Sequence, residues 1–211
     1  MNRFAAQILY IMQKKSAIIL TLFMFQLVAY AQQTYQLDIK KSKILWDARK
    51  TMGGHYGYLL FNSGSLSYSA GGEPVNAAFS LDMNSMKSTD HNPDGNKKVD
   101  DRLKTDGFFA TAKYPSAIIN IKRITRVGQS TTFNVAGELT MKGITNPIEF
   151  TAIIKKTGNI VNATAETKID RVKWHIDFQP KPKSWDFIAA LTDKVITDEI
   201  GVSLNLVFTK Q

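Results

Sequence analysis

The stretch Phe133-Asn134-Val135-Ala136-Gly137-Glu138-Leu139-Thr140-Met141 sets Phe133, Val135, Gly137, Leu139 and Met141 on one parity and Asn134, Glu138 and Thr140 on the other. Side chains of a strand alternate between faces, so this period of two predicts a strand with one buried and one wet face. The same rhythm continues on both sides. Downstream, Ile148, Phe150, Ala152 and Ile154 alternate with polar residues, followed by Val161, Ala163 and Ala165 and finally Val202, Leu204, Leu206 and Phe208. Upstream, Ile119 and Ile121 alternate with Asn120 and Lys122, and Val75, Ala77, Phe79, Leu81 and Met83 share one parity.

Turn chemistry divides these runs at Gly53-Gly54, Asn62-Ser63-Gly64, Ala70-Gly71-Gly72, Val127-Gly128, Asn146-Pro147 and Thr157-Gly158-Asn159. Hairpin-length spacing of eight or nine strands predicts an all-β, antiparallel sandwich or barrel. Helical patterns between most strands are missing, which excludes a parallel α/β sheet. Two segments depart from the strand rhythm. Lys98–Phe109 carries Val99, Leu103 and the Phe pair at helical offsets, and Ser184–Lys194 offers an N-cap serine before Trp185, Ile188 and Ala189; each predicts a short helix beside the barrel.

The 211 residues include 27 Lys+Arg, 18 Asp+Glu and no cysteine, a net charge of +9. That length suits one domain, and 44% hydrophobic residues suffice for a core, excluding wholesale disorder. The lack of cysteine excludes a disulfide scaffold, an iron–sulfur protein, thiol catalysis and a cysteine-rich zinc site. Residues 1–31 begin with Arg3, Lys14 and Lys15, run through AIILTLFMFQLVAY and close on Ala29-Tyr30-Ala31. This is the pattern of a secretory signal peptide, and its apolar run is short for a membrane span, although an uncleaved anchor is the alternative. Translation starts at Met1 or at Met12, which opens a tidier signal. Cleavage after Ala31 leaves a domain of residues 32–211, and losing Arg3, Lys14 and Lys15 lowers the net charge from +9 to +6. The remaining basic residues are scattered in pairs such as Lys40-Lys41 and Lys122-Arg123, so no nucleic-acid partner is expected.

Little catalytic chemistry is visible. There is no G-x-S-x-G elbow. Of the three histidines, His55 follows a glycine pair and serves either as a base or as a turn residue, His91 lies in a polar loop, and His175 falls in an expected strand. So few histidines supply a multi-histidine metal centre poorly. The segment Asp90-His91-Asn92-Pro93-Asp94-Gly95 running to Asp101 places oxygens at positions one, three, five and twelve and glycine at six, as a calcium loop requires. Lys97 at a normally apolar place, Asp101 in place of the longer glutamate and a strand leading into Asp90 count against it, and an exposed Asx turn is the alternative. The chain is not expected to be an enzyme.

It is instead rich in large aromatic side chains. Some must fill the core, but an eight-stranded barrel is just wide enough either to be filled or to hold one small ligand.

The ordered motifs resemble those of the YceI-like family. They start with Tyr35-Gln36-Leu37-Asp38, Ile44-Leu45-Trp46 and Gly53-Gly54-His55-Tyr56-Gly57. Asp101-Arg102-Leu103-Lys104-Thr105-Asp106-Gly107-Phe108-Phe109 with Lys113-Tyr114-Pro115 and Ile119 follows, then the hairpin Val135–Ile148, Asp170-Arg171, and Asp198-Glu199-Ile200 with Val202, Leu204 and Leu206. Arg102 stands where the family commonly has histidine, Trp174-His175-Ile176-Asp177 replaces its usual pattern after Asp170-Arg171, and Lys181–Leu191 is an atypical insertion.

The resemblance implies a single eight-stranded, lipocalin-like barrel that binds a polyisoprenoid or related lipid in the periplasm, with secretion as the second choice of location. The expected ligand is an isoprenoid or acyl lipid, with no other cofactor; transient membrane contact and a homodimer are left open. Strand parity assigns Trp46, Phe79, Leu81, Ile119, Ile121, Phe133, Val135, Phe150, Ile154, Trp174 and Leu204 to the lumen. Phe108, Phe109, Trp185 and Phe187 are expected to gate or cap it. A structural barrel with a filled core, and a hydrolase using His55, are the alternative readings.

Overall fold

Antiparallel hairpins account for nearly the whole computed structural model, which describes residues 32–49, 53–176 and 197–210. The strands are β1 (Gln33–Leu37), β2 (Lys43–Arg49), β3 (Gly54–Tyr68), β4 (Pro74–Ser88), β5 (Ser116–Arg126), β6 (Thr132–Met141), β7 (Ile144–Thr157), β8 (Ile160–Asp170) and β9 (Glu199–Lys210). A helix, α1 (Pro93–Leu103), lies between β4 and β5, and a single 3-10 turn, Arg171–Trp174, follows β8.

Consecutive strands from β3 to β9 pair as antiparallel neighbours, while β1 and β2 both pair with β3 on one side and β9 on the other. β1 faces Ser65–Tyr68 of β3 and β2 faces Gly54–Leu59, so the two short strands are halves of one broken stave. Nine strands among the described residues thus close an eight-staved antiparallel barrel, which leaves no exposed sheet edge. At the break the Asp38 carboxylate accepts the N–H groups of Lys40 and Lys41, turning the chain outward. Buried Ser42 then restores a ladder bond, its hydroxyl accepting the Val207 N–H at 3.0 Å.

Several local expectations are corrected. Asn62-Ser63-Gly64 is no turn but a bulge within β3, where the register to β4 shifts between Phe61 and Ser63. The β6–β7 hairpin turns at Lys142-Gly143, both with positive φ (53° and 74°), the backbone that a two-residue turn needs to match strand twist. Asn146-Pro147 lies inside β7 instead. Pro147 is tolerated there because β7 pairs with β8 only over Ala152–Thr157, so no ladder bond is lost on that side. His175 is not in a strand; it ends the 3-10 turn at φ 53°. The first expected helix begins earlier, at Pro93 behind the N-cap Asn92, whose side chain accepts the Gly95 N–H at 2.8 Å. Asp100 is buried late in α1 and ties the helix to β4 by accepting the Ser88 N–H (2.7 Å) and hydroxyl (2.8 Å). The second expected helix, with Trp185 and Phe187, and the expected signal segment lie outside the described residues.

One end of the barrel is sealed by aromatic rings. Tyr35, Tyr68, Phe133 and Phe208 are all buried there, with Tyr35 and Tyr68 5.2 Å apart between centroids. Cations cover them from outside: Lys156 Nζ stands 4.8 Å from the Tyr68 ring centroid, and the Arg126 guanidinium 4.5 Å from that of Phe133 while forking onto Glu73. Burial, with Tyr35 and Glu73 nearby, pushes the Tyr68 phenol up to about 12. A phenol raised in this way stabilises the fold fully below its unfolded value of about 10, and that contribution is lost as pH climbs toward the folded value. Alkaline unfolding followed by circular dichroism is therefore expected to steepen between pH 10 and about 12 in the native protein and to flatten there in Tyr68→Phe. An identical profile in the variant would show that the floor does not depend on this phenol.

Candidate functional site

The barrel interior is not completely filled. A cavity of about 340 Å³ runs from the aromatic floor toward the opposite end. Trp46, Phe79, Leu81, Ile119, Ile121, Val135, Phe150, Ile154 and Leu204 line it from strands on the expected inward parity, whereas Trp174 lines it from the 3-10 turn and not from a strand. Phe133 does not. It faces inward but packs into the floor beneath Arg126, away from the cavity wall.

The room comes from small side chains. Ala152 and Ala165 are cross-strand partners on β7 and β8, with Ala163 opposite Ile154 and Ala77 across the barrel on β4, and all of them line the cavity. Larger aliphatic residues there would close the space. Trp174 forms the roof: it is 2% exposed, and its indole N–H donates to the Leu139 carbonyl at 3.1 Å. Trp46 is oriented likewise by donation to Tyr58 O at 3.2 Å. Both indoles thus satisfy their one polar atom on backbone and present apolar faces inward.

Polar lining is concentrated in one region. Above Ala152 and Ala165 the strands β7 and β8 part, and the cavity extends between them past Glu149, Thr167, Lys168, Asp170 and Lys173. Asn146 spans from β7 to the 3-10 turn by donating to Lys173 O at 2.8 Å.

A second cavity of about 240 Å³ lies between the barrel end and α1, walled by His55, Met86, Lys98, Val99, Arg102, Leu103 and Phe108. Trp46, Phe109, Arg171, Ile176 and Ile200 border both cavities and form the partition between them. Of the expected gate, Phe109 therefore stands in the partition, Phe108 lines only the second chamber, and Trp185 and Phe187 fall outside the described residues.

Arg171 holds this region together. The residue is 3% exposed; its Nε donates to Thr197 O at 3.0 Å, Nη1 donates to Ile176 O, and Nη2 approaches Asp198 Oδ1 at 3.5 Å. One guanidinium thus grips the chain at the end of the 3-10 turn and again where it enters β9.

The calcium loop is overturned. Its Asn92 oxygen caps α1, and Asp101 pairs with Lys97 at 2.5 Å on the helix surface. Asp94 and Asp101 are seven residues apart on α1, about 10 Å along the axis at ~1.5 Å per residue, too far to share an ion. Asp90 turns instead to the histidines: His55 Nδ1 lies 2.8 Å and His91 Nε2 3.1 Å from the same oxygen, Oδ2. Burial alone would raise the Asp90 carboxyl, but the His55 hydrogen bond, the Tyr56 N–H and the His55 charge hold it below its ordinary value. The separation of 35 positions between His55 and Asp90 in sequence, bridged only by strand pairing, hid this contact from sequence patterning.

A family model described as the YceI-like domain matches residues 35–208. The chain belongs to the YceI-like family. Two solved structures share the barrel. Burkholderia cenocepacia BcnA is 18% identical with a TM-score of 0.59, over 81% of this chain and 98% of that one. A polyisoprenoid binding domain from Saccharophagus degradans, implicated in plant cell wall breakdown, is 18% identical with a TM-score of 0.60, over 85% and 99%. At that identity the likeness establishes the fold alone. No curated protein matches this YceI-like sequence.

Proposed function

We propose that this YceI-like protein binds a long apolar lipid, a polyisoprenoid, an isoprenoid quinone or an acyl chain, in the barrel cavity and carries it without chemical change. The observation that carries this reading is the mostly apolar cavity of about 340 Å³ inside the barrel, lined by residues of its hydrophobic core. Holding such a space empty destabilises a fold by about 24 cal/mol per Å³. Filling it with hydrocarbon returns ~0.8 kcal/mol per methylene, which needs few polar contacts and no catalytic group. The polyisoprenoid binding of the Saccharophagus degradans domain supports the isoprenoid choice. The basic start, apolar run and small-residue end of residues 1–31 support export, and the compartment we propose for the carrier is the periplasm, with secretion as the second choice.

Native mass spectrometry of protein purified from its own host, followed by organic extraction, tests the reading. A stoichiometric isoprenoid or acyl species is expected. A ligand-free mass, with no uptake of added isoprenoids, would leave the barrel a structural module.

A further inference from the structure

We infer that His55, Asp90 and His91 form a binding site for one divalent first-row transition metal ion of the zinc, nickel or copper class. Their ligand atoms all lie within 4.8 Å of one another, and both imidazole nitrogens already converge on one carboxylate oxygen at 2.8 and 3.1 Å. Metal–ligand bonds of ~2.0–2.2 Å at tetrahedral angles separate neighbouring ligand atoms by about 3.3 Å, so small outward rotations admit an ion. Two nitrogens and one oxygen suit borderline ions rather than calcium or magnesium. Three protein donors leave a coordination position for water or another ligand.

The cluster is supported from behind. The Tyr56 N–H donates to the other Asp90 oxygen, Oδ1, at 3.3 Å, fixing the carboxylate plane. His91 is clamped through its backbone: its N–H donates to Asn96 Oδ1 at 2.9 Å, and its carbonyl accepts Asn96 Nδ2 at 2.8 Å. Gly95 completes the seat, because a Cβ there would come within 2.8 Å of His91 Cβ. Burial is graded across the site, with side chains of Asp90, His55 and His91 exposed by 5%, 20% and 49%. The ion would therefore reach the site past His91. His55 also walls the second cavity, so the ion would pin the start of β3 to the loop before α1 beside that chamber.

The test uses chelator-treated mature protein titrated with zinc chloride alone by calorimetry, with cobalt(II) visible absorption as a second readout. One ion per chain is expected, with a rise in melting temperature on zinc addition. His91→Ala, at the exposed ligand, is expected to weaken binding by tenfold or more while melting like the parent in chelator. His55→Ala should weaken binding likewise, and His175→Ala, which removes the remaining histidine, should leave it unchanged. Lack of saturable binding, or binding that survives both His55→Ala and His91→Ala, would overturn the site and leave the cluster a hydrogen-bonded tie between β3 and the loop.

Discussion

Replacing Ala165 with Phe in the cavity wall is expected to abolish lipid retention while leaving the barrel folded. Ala165 faces Ala152 across the β7–β8 pair and borders the cavity, so a benzyl side chain has space to enter without displacing backbone. Excluding about four methylenes of ligand at ~0.8 kcal/mol each forfeits about 3 kcal/mol, roughly a hundredfold in affinity. The added ring also buries apolar surface in a void, so the lipid-free melting temperature should hold or rise. Phe150→Asp makes the complementary change. It sets an unpaired carboxylate on the same wall, so lipid is lost and the melting temperature falls. Loss of lipid with opposite shifts in stability separates occupancy of the cavity from general unfolding. Stoichiometric lipid in folded Ala165→Phe would remove the ligand from the barrel interior. Phe133→Asp is a poor substitute, because Phe133 lies in the floor and its loss acts on the fold.

Period two carried most of the architecture, because alternation is what one wet and one buried face impose on each strand. It failed where the backbone slips by one residue. The bulge between Ile121 and Arg123 moves inward parity from Ile119 and Ile121 to Ile124, and that in β3 moves it from Leu59 and Phe61 to Leu66 and Tyr68. Ile124, Leu59, Phe61 and Leu66 all line the cavity, and simple alternation missed them. Gly137 offered a local hint, since a Cβ there would stand 2.4 Å from Asn120 O beside the β5 bulge. The alanines that make the cavity read in sequence as ordinary small core residues, since room is a property of facing strands rather than of one strand. The spacing of Asp90, Asn92, Asp94 and Asp101 fitted an ion loop only until Pro93 at the first helical turn and the Asn92 cap committed the segment to α1.

Arg171→Ala is expected to be among the most destabilising single changes in this protein. The family resemblance drew attention to Asp170-Arg171, but only the structure shows why an arginine is needed. A buried guanidinium holds Ile176 O, Thr197 O and Asp198 Oδ1 together and borders both cavities. Hydrogen bonds to a charged group contribute about 1.5–3 kcal/mol each, and buried carbonyls left without a donor add their own desolvation penalty. A loss of about 3 kcal/mol or more follows, a large part of the ~5–15 kcal/mol that holds a domain folded. The melting temperature should drop by about 10 °C in a domain of this size. Arg171→Lys should recover little, because one ammonium lacks the planar fork that reaches carbonyls in several directions at once. Near-complete rescue by lysine in thermal melts would mean that charge, and not this geometry, is what the position supplies. Arg171→Met separates the two contributions further. It keeps much of the volume between the cavities but none of the hydrogen bonds, so it should melt with Arg171→Ala if the clamp dominates. If it melts near the parent, the volume the side chain fills in the partition is the greater share, and the clamp is secondary.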